Sequence, residues 1–147
     1  MSWRWQLRVH TDGACLGNPG PGGWAYATDD GRTRAGSAKL TTNQRMELQA
    51  VLEAVRDLAS PLDIYSDSTY VVNCFRQNWH VGWVKRGWRN SKGDPVANQD
   101  LWKPLIDLVL KPGASYTFNW VKGHAGDPQN ELVDQLARSE AEKIASR

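Results

Sequence analysis

Apolar and polar positions alternate along residues 7–12, where Leu7 and Val9 are separated by Arg8 and His10, and a period of two predicts a half-buried β-strand. Gly13 breaks the pattern and leaves Asp12 at the strand end. Read alone, an Asp before a Gly is turn chemistry. The run that follows, A-C-L-G-N-P-G-P-G-G, is too rich in Gly and Pro for regular structure. It predicts either a tight loop where backbone can approach a ligand or a plain hairpin connector. Trp24–Thr28 and Thr33–Lys39 read as two further strands around the turn D-D-G at Asp29–Gly31, so the opening third is expected to be a three-strand antiparallel meander.

From Thr42 the period lengthens. Leu48, Val51, Leu52, Val55 and Leu58 fall at helical spacing behind the capping candidates Thr41, Thr42 and Asn43, and the helix ends before Pro61. Glu47 lies beside this apolar stripe, one turn before Val51. Taken on the helix alone it reads as a solvated acid beside Gln44 and Arg45. Leu62–Ser66 is a short strand, followed by S-D-S and a helix over Tyr70–Phe75. Asp67 thus repeats the placement of Asp12, and ligands of α/β sheets bind outside such strand ends; capping of the next helix is the other reading, and it suits Ser68. Leu101, Trp102, Leu105, Ile106 and Val109 define another helix, closed by Pro112 and Gly113, and Tyr116–Val121 is the last strand. Asp127-Pro128 starts the final helix, with Leu132, Val133, Leu136, Ala137 and Ile144 inward. Asp134 shares a face there with Ala137, Arg138 and Ala141. His124 is flanked by small residues, which give it mobility that a packed core histidine does not need.

Composition narrows the class. With 147 residues, 40% of them apolar, the chain is expected to be a single domain over residues 1–147 around one core. No apolar run is long enough to cross a bilayer, and M-S-W-R-W-Q lacks the apolar stretch of a signal peptide, so a cytoplasmic location and no membrane partner are expected. Cys15 and Cys74 have no metal or redox spacing and are expected to be reduced thiols. A net charge of +2 does not by itself mark a polyanion binder. Its distribution says more. Lys85, Arg86, Arg89 and Lys92 fall in an acid-free stretch that also holds Trp83 and Trp88, with Trp79 just before. Cations take phosphates and flat aromatic faces take sugars or bases, so contact with nucleic acid is favoured over a helix pair using tryptophan as core.

Four carboxylates brought together, Asp12, Glu47, Asp67 and Asp134, would repel and raise one another's pKa values unless cations neutralise them. Oxygen ligands select hard ions, which makes Mg²⁺ the natural guest and Mn²⁺ its substitute. Two such ions about 4 Å apart activate water and stabilise the leaving oxygen of a phosphodiester.

The motifs T-D-G-A-C-L-G-N-P-G-P-G-G, T-N-Q-R-M-E-L, Y-S-D-S, W-V-K-R-G-W, W-V-K-G-H-A-G and N-E-L-V-D-Q-L-A together resemble bacterial ribonuclease HI, in the family's order and along essentially the whole chain. The resemblance implies an α/β ribonuclease H-like fold, a five-stranded mixed sheet with helices on both faces. It implies an endonuclease that cleaves the RNA strand of RNA/DNA hybrids, leaves 5′-phosphate and 3′-hydroxyl ends, and acts as a monomer. Asp12, Glu47, Asp67 and Asp134 fall on the family's metal-binding acids, and His124 on its loop histidine for proton transfer or product release. Cys15, Asn18, Asn43 and Gln44 match substrate-contacting positions, the last three at the minor groove, where 2′-hydroxyls distinguish RNA from DNA. Trp79, Trp83, Lys85, Arg86 and Trp88 lie in a segment similar to the basic protrusion that holds the DNA strand. Thr42 and Asn98 correspond to residues around a DNA phosphate. The chain departs from the family at Leu40, where a basic residue commonly precedes T-T-N; here Lys39 is its neighbour. A resolvase or integrase core would use similar acids on DNA, but would lack T-N-Q-R-M-E-L and the basic segment. A catalytically dead hybrid-binding module would have lost at least one acid.

Overall fold

The computed structural model describes residues 6–122 and 126–147. Three strands, β1 (Leu7–Cys15), β2 (Gly20–Thr28) and β3 (Thr33–Thr41), form the antiparallel meander. Helix α1 (Asn43–Asp57) leads to β4 (Leu62–Ser66), which pairs parallel to β1. Helices α2 (Thr69–Arg76), α3 (Trp79–Lys85) and α4 (Gln99–Val109) precede β5 (Tyr116–Trp120), parallel to β4, and α5 (Pro128–Ala145) closes the chain. Among the described residues the sheet is five-stranded and mixed, in the order β3-β2-β1-β4-β5. This is the α/β, ribonuclease H-like arrangement expected from the sequence.

One expectation is corrected. The Gly/Pro-rich run is not wholly irregular, because β1 continues through Gly13 to Cys15 and β2 already begins at Gly20. The glycines there serve close packing. A Cβ on Gly13 would lie 2.3 Å from the Glu47 backbone N and 2.4 Å from the Met46 carbonyl carbon, and one on Gly23 would lie 2.2 Å from the Ala137 carbonyl O. Gly13 does not have positive φ, so its requirement is for space and not for a turn. Through these two seats α1 settles on one face of β1 and α5 on the opposite face of β2.

Alternation along the strands sorts the two cores. Val9, Trp24, Tyr26, Ile64 and Phe118 join Leu48, Val51, Leu52 and Val55 of α1 in the large core, with Val71, Val72, Trp102 and Leu105. Ala25 and Ala27 meet Val133 and Ala137 of α5 on the other side. Small residues on both surfaces let α5 lie close to the sheet. Its first turn is also tethered: Asp127 caps Gln129 N at 2.9 Å and accepts from His10 Nε2 at 3.1 Å, while the His10 ring stacks on Tyr65 at 4.9 Å. At the start of α1 the capping residue is Thr42, whose Oγ1 accepts from Arg45 N at 3.2 Å.

Gly13→Ala should therefore cost stability through overpacking, by about 1–3 kcal/mol, since the obstructing atoms are backbone. Urea unfolding followed by circular dichroism checks this; an unchanged midpoint would show that α1 can back away from the sheet freely.

Candidate active site

Asp12 sits within β1, opposite Ala25 of β2, and is 5% exposed. Because Gly13 admits the backbone of α1, Glu47 reaches the same place from the helix's first turns. Asp67 follows the last residue of β4, the strand beside β1. One carboxylate oxygen from each of Asp12, Glu47 and Asp67 lies within 4.8 Å of the others. Three elements that are distant in sequence thus deliver acids to one point at the carboxyl ends of the parallel strands.

Their electrostatics follow from burial and crowding. Asp12 is pushed up to about 9, first by desolvation, then by the charge of Asp67, with Asp134 and Glu47 adding to the effect; the Gly13 N–H, 2.9 Å from Asp12 Oδ1, opposes it. Glu47 rises to about 7, mainly by desolvation, against a hydrogen bond from Ser68. None of these causes is a cation. A site of clustered oxygen donors whose ionisation is suppressed by burial and mutual repulsion suits a hard divalent ion. The donor set therefore fits Mg²⁺ or Mn²⁺.

Asp134 is close enough to influence Asp12, yet it stands outside the group of three. Its Oδ2 accepts from Arg138 Nη2 at 2.5 Å, one turn along α5. His124 lies outside the described residues.

The expected substrate residues divide into two groups. Cys15, Asn18, Thr42, Asn43 and Gln44 gather where the β1–β2 connection meets the start of α1. Asn18 Oδ1 accepts from the Asn43 N–H at 3.2 Å, and the Cys15 thiol, pushed up by burial, faces the carbonyls of Gly20 and Thr41 at 3.4 Å. Asn43 and Gln44 are both exposed. Asn98, in left-handed backbone at the head of α4, accepts from Arg45 Nη1 and donates to Tyr70 Oη, both at 3.2 Å. Leu40 is 75% exposed.

The second group is the tryptophan segment. Trp83 is 9% exposed and packs edge-on against Trp102 at 5.3 Å, so most of its ring is part of the core. Trp79 and Trp88 are half-buried against that core, and Lys103 lies over the Trp88 ring at 5.3 Å. Lys85, Arg86 and Arg89 carry their charges on the outside of this segment. Arg86 Nε and Arg89 Nη1 donate to the Arg89 and Gly93 carbonyls, which stiffens the loop. A tryptophan among cations satisfied both readings at once, and only tertiary packing separates them.

Some of the site was not visible in the sequence. Gly13 looks like a turn former there, and the hydrogen bond from Ser68 to Glu47 joins residues of different elements. The pairing of Asp134 with Arg138 was available as an i,i+4 spacing.

Comparison with known proteins agrees with this geometry. The RNase H family model matches residues 4–142. Curated relatives named Ribonuclease H include one from Xanthomonas campestris pv. campestris, 49% identical over 96% of this chain and 94% of its own length. Another, from Paracidovorax citrulli, is 47% identical over 97% and 98%. A third, from Thermus thermophilus, is 46% identical over 97% and 87%. Among solved structures, LC9-RNase H1, described as a type 1 RNase H with the type 2 active-site motif, superposes with a TM-score of 0.79 at 31% identity, covering 97% of this chain and 76% of that one.

The raised acids make the stability of the ion-free protein pH-dependent. Between its ordinary value of 3.8 and about 9, folded Asp12 keeps a proton that the unfolded chain releases, and Glu47 does the same between 4.5 and about 7. Stability therefore falls as pH rises through that window. In EDTA the melting temperature should drop between about pH 5 and pH 9, and Asp12→Asn should flatten the drop. A scanning calorimetry series with no slope in wild-type protein would contradict the crowding of these acids.

Proposed function

The chain belongs to the ribonuclease H family, and from that premise we propose that it hydrolyses the RNA strand of RNA/DNA hybrids by two-ion chemistry, leaving 5′-phosphate and 3′-hydroxyl ends. The observation that carries this reading is the convergence of Asp12, Glu47 and Asp67 within 4.8 Å, with Asp12 pushed up to about 9. Those three acids, joined by Asp134, would hold Mg²⁺, or Mn²⁺ in its place. When bound, the ions lower the pKa of a water and neutralise charge on the phosphodiester.

The chain's own residues bind and orient. Burial and the neighbouring acids raise Asp12 to about 9 and Glu47 to about 7, so both would release protons on holding a divalent ion. Asn18, Asn43 and Gln44, with Cys15 beside them, offer a polar surface suited to the minor groove, where 2′-hydroxyls mark the RNA strand. Thr42 and Asn98 serve a phosphate of the DNA strand. Lys85 and Arg86, with Arg89, bind further phosphates, and the half-buried Trp79 and Trp88 brace that loop; Trp83 acts from the core. His124 carries protons or eases product release. The protein works as a monomeric single catalytic domain in the cytoplasm.

Matched RNA/DNA, RNA/RNA and DNA/DNA duplexes incubated with Mg²⁺ test the reading: only the hybrid should be cut, and only in its RNA strand. Cleavage of DNA/DNA would point instead to a resolvase-like enzyme, and no cleavage at all to a binding module. Asp12→Asn should reduce turnover by at least about 10³-fold while hybrid affinity in EDTA stays near wild type; near-normal turnover by the folded variant would remove Asp12 from the chemistry. Replacing Lys85, Arg86 and Arg89 together by Ala should raise KM and lower the log–log salt slope by roughly one unit per lost phosphate contact. An unchanged slope in filter-binding titrations would exclude the segment from the interface.

A further inference from the structure

Trp120 ends β5 at the sheet edge, opposite Ser66, the residue before Asp67. Its indole Nε1–H donates to the Asp67 carbonyl oxygen at 3.1 Å, and the next residue, Val121, donates its N–H to Ser66 O at 2.9 Å. The chain leaving β4 is therefore tied to the end of β5 by a main-chain bond at Ser66 and a side-chain bond at Asp67. The same indole is 48% exposed, the one aromatic among the large, exposed apolar side chains of the described residues. Phe118, two residues earlier on the same face, is stacked on Phe75 at 4.1 Å and buried. Burial thus explains Phe118 but not the tryptophan, half of whose surface stays in water one hydrogen bond from the backbone of an acid in the cluster.

We propose that Trp120 has two separable tasks: its N–H is a positioning group that fixes Asp67 for ion binding, and its exposed ring face is a platform for a nucleoside of the substrate beside the cleaved phosphate. The second task rests on the hybrid-cleavage reading above; the first does not. Asp67 follows a strand end, where few ladder bonds restrain the chain, so an additional donor on its carbonyl narrows the positions its carboxylate can take relative to Asp12 and Glu47. The ring meets the requirement for a sequence-tolerant contact, since every base and sugar offers an apolar face to an aromatic one.

Two substitutions divide the tasks. Trp120→Phe keeps an aromatic face and removes the N–H; Trp120→Ala removes both. Mn²⁺ affinity is read by electron paramagnetic resonance titration of the protein without nucleic acid, hybrid affinity by fluorescence anisotropy in EDTA, and folding by circular dichroism. Trp120→Phe should weaken Mn²⁺ roughly three- to tenfold and lower kcat at limiting ion, with hybrid affinity within about twofold of wild type. Trp120→Ala should show the same Mn²⁺ loss and, in addition, a roughly tenfold weaker hybrid complex. Wild-type Mn²⁺ affinity in folded Trp120→Phe overturns the positioning task, and wild-type hybrid affinity in Trp120→Ala overturns the platform. If wild-type protein fails to cleave hybrid at all, the proposed function falls instead, while the Mn²⁺ titration still decides the positioning task.

Discussion

The acid cluster depends on a side chain that is missing. Helix α1 rests its backbone on Gly13, with Glu47 N and Met46 C where any Cβ would have to go, and this contact carries Glu47 to the strand that bears Asp12. No hydrogen bond or ion pair could substitute for it, because an intervening side chain would push helix and sheet apart and take Glu47 with the helix. Gly23 performs the same service for α5 on the other face, against Ala137 O, and α5 bears the fourth acid. Two bare positions on the sheet surface thus set the distances at the site.

What those positions bring together is costly to keep. Buried carboxylates crowded around one point resist ionisation, and here the resistance is such that Asp12 keeps its proton up to about 9. The surrounding fold has to supply the restraint. Pairing of β1 with both β2 and β4, the Thr42 cap on α1 and the Ser68 cap on α2 hold the three segments in register against that repulsion. Stability is given up at the site so that binding a cation can restore it.

The sequence was legible where the physics is local. Alternation found the strands, the 3.6 period found α1, α4 and α5, and motifs pointed to Asp12, Glu47 and Asp67 together. It was illegible where one residue type serves two purposes. Gly13 and Gly20–Gly23 suggested a loop because glycine in a sequence signals chain reversal, while its role in packing two elements closely leaves no local mark. Trp83 carried the composition of a binding surface, and most of its ring packs in the core against Trp102. Trp120 attracted no role at all, since its partner is a backbone carbonyl just past the end of a neighbouring strand.

The pairing of Asp134 with Arg138 makes the site lopsided. The fourth acid arrives with its counter-charge already supplied from its own helix, whereas no cation is among the causes that set Asp12 and Glu47. The two sides of the cluster therefore differ in their appetite for positive charge. Asp134 is balanced from within its own helix, while the charges of Asp12 and Glu47 are set by burial and by the neighbouring acids.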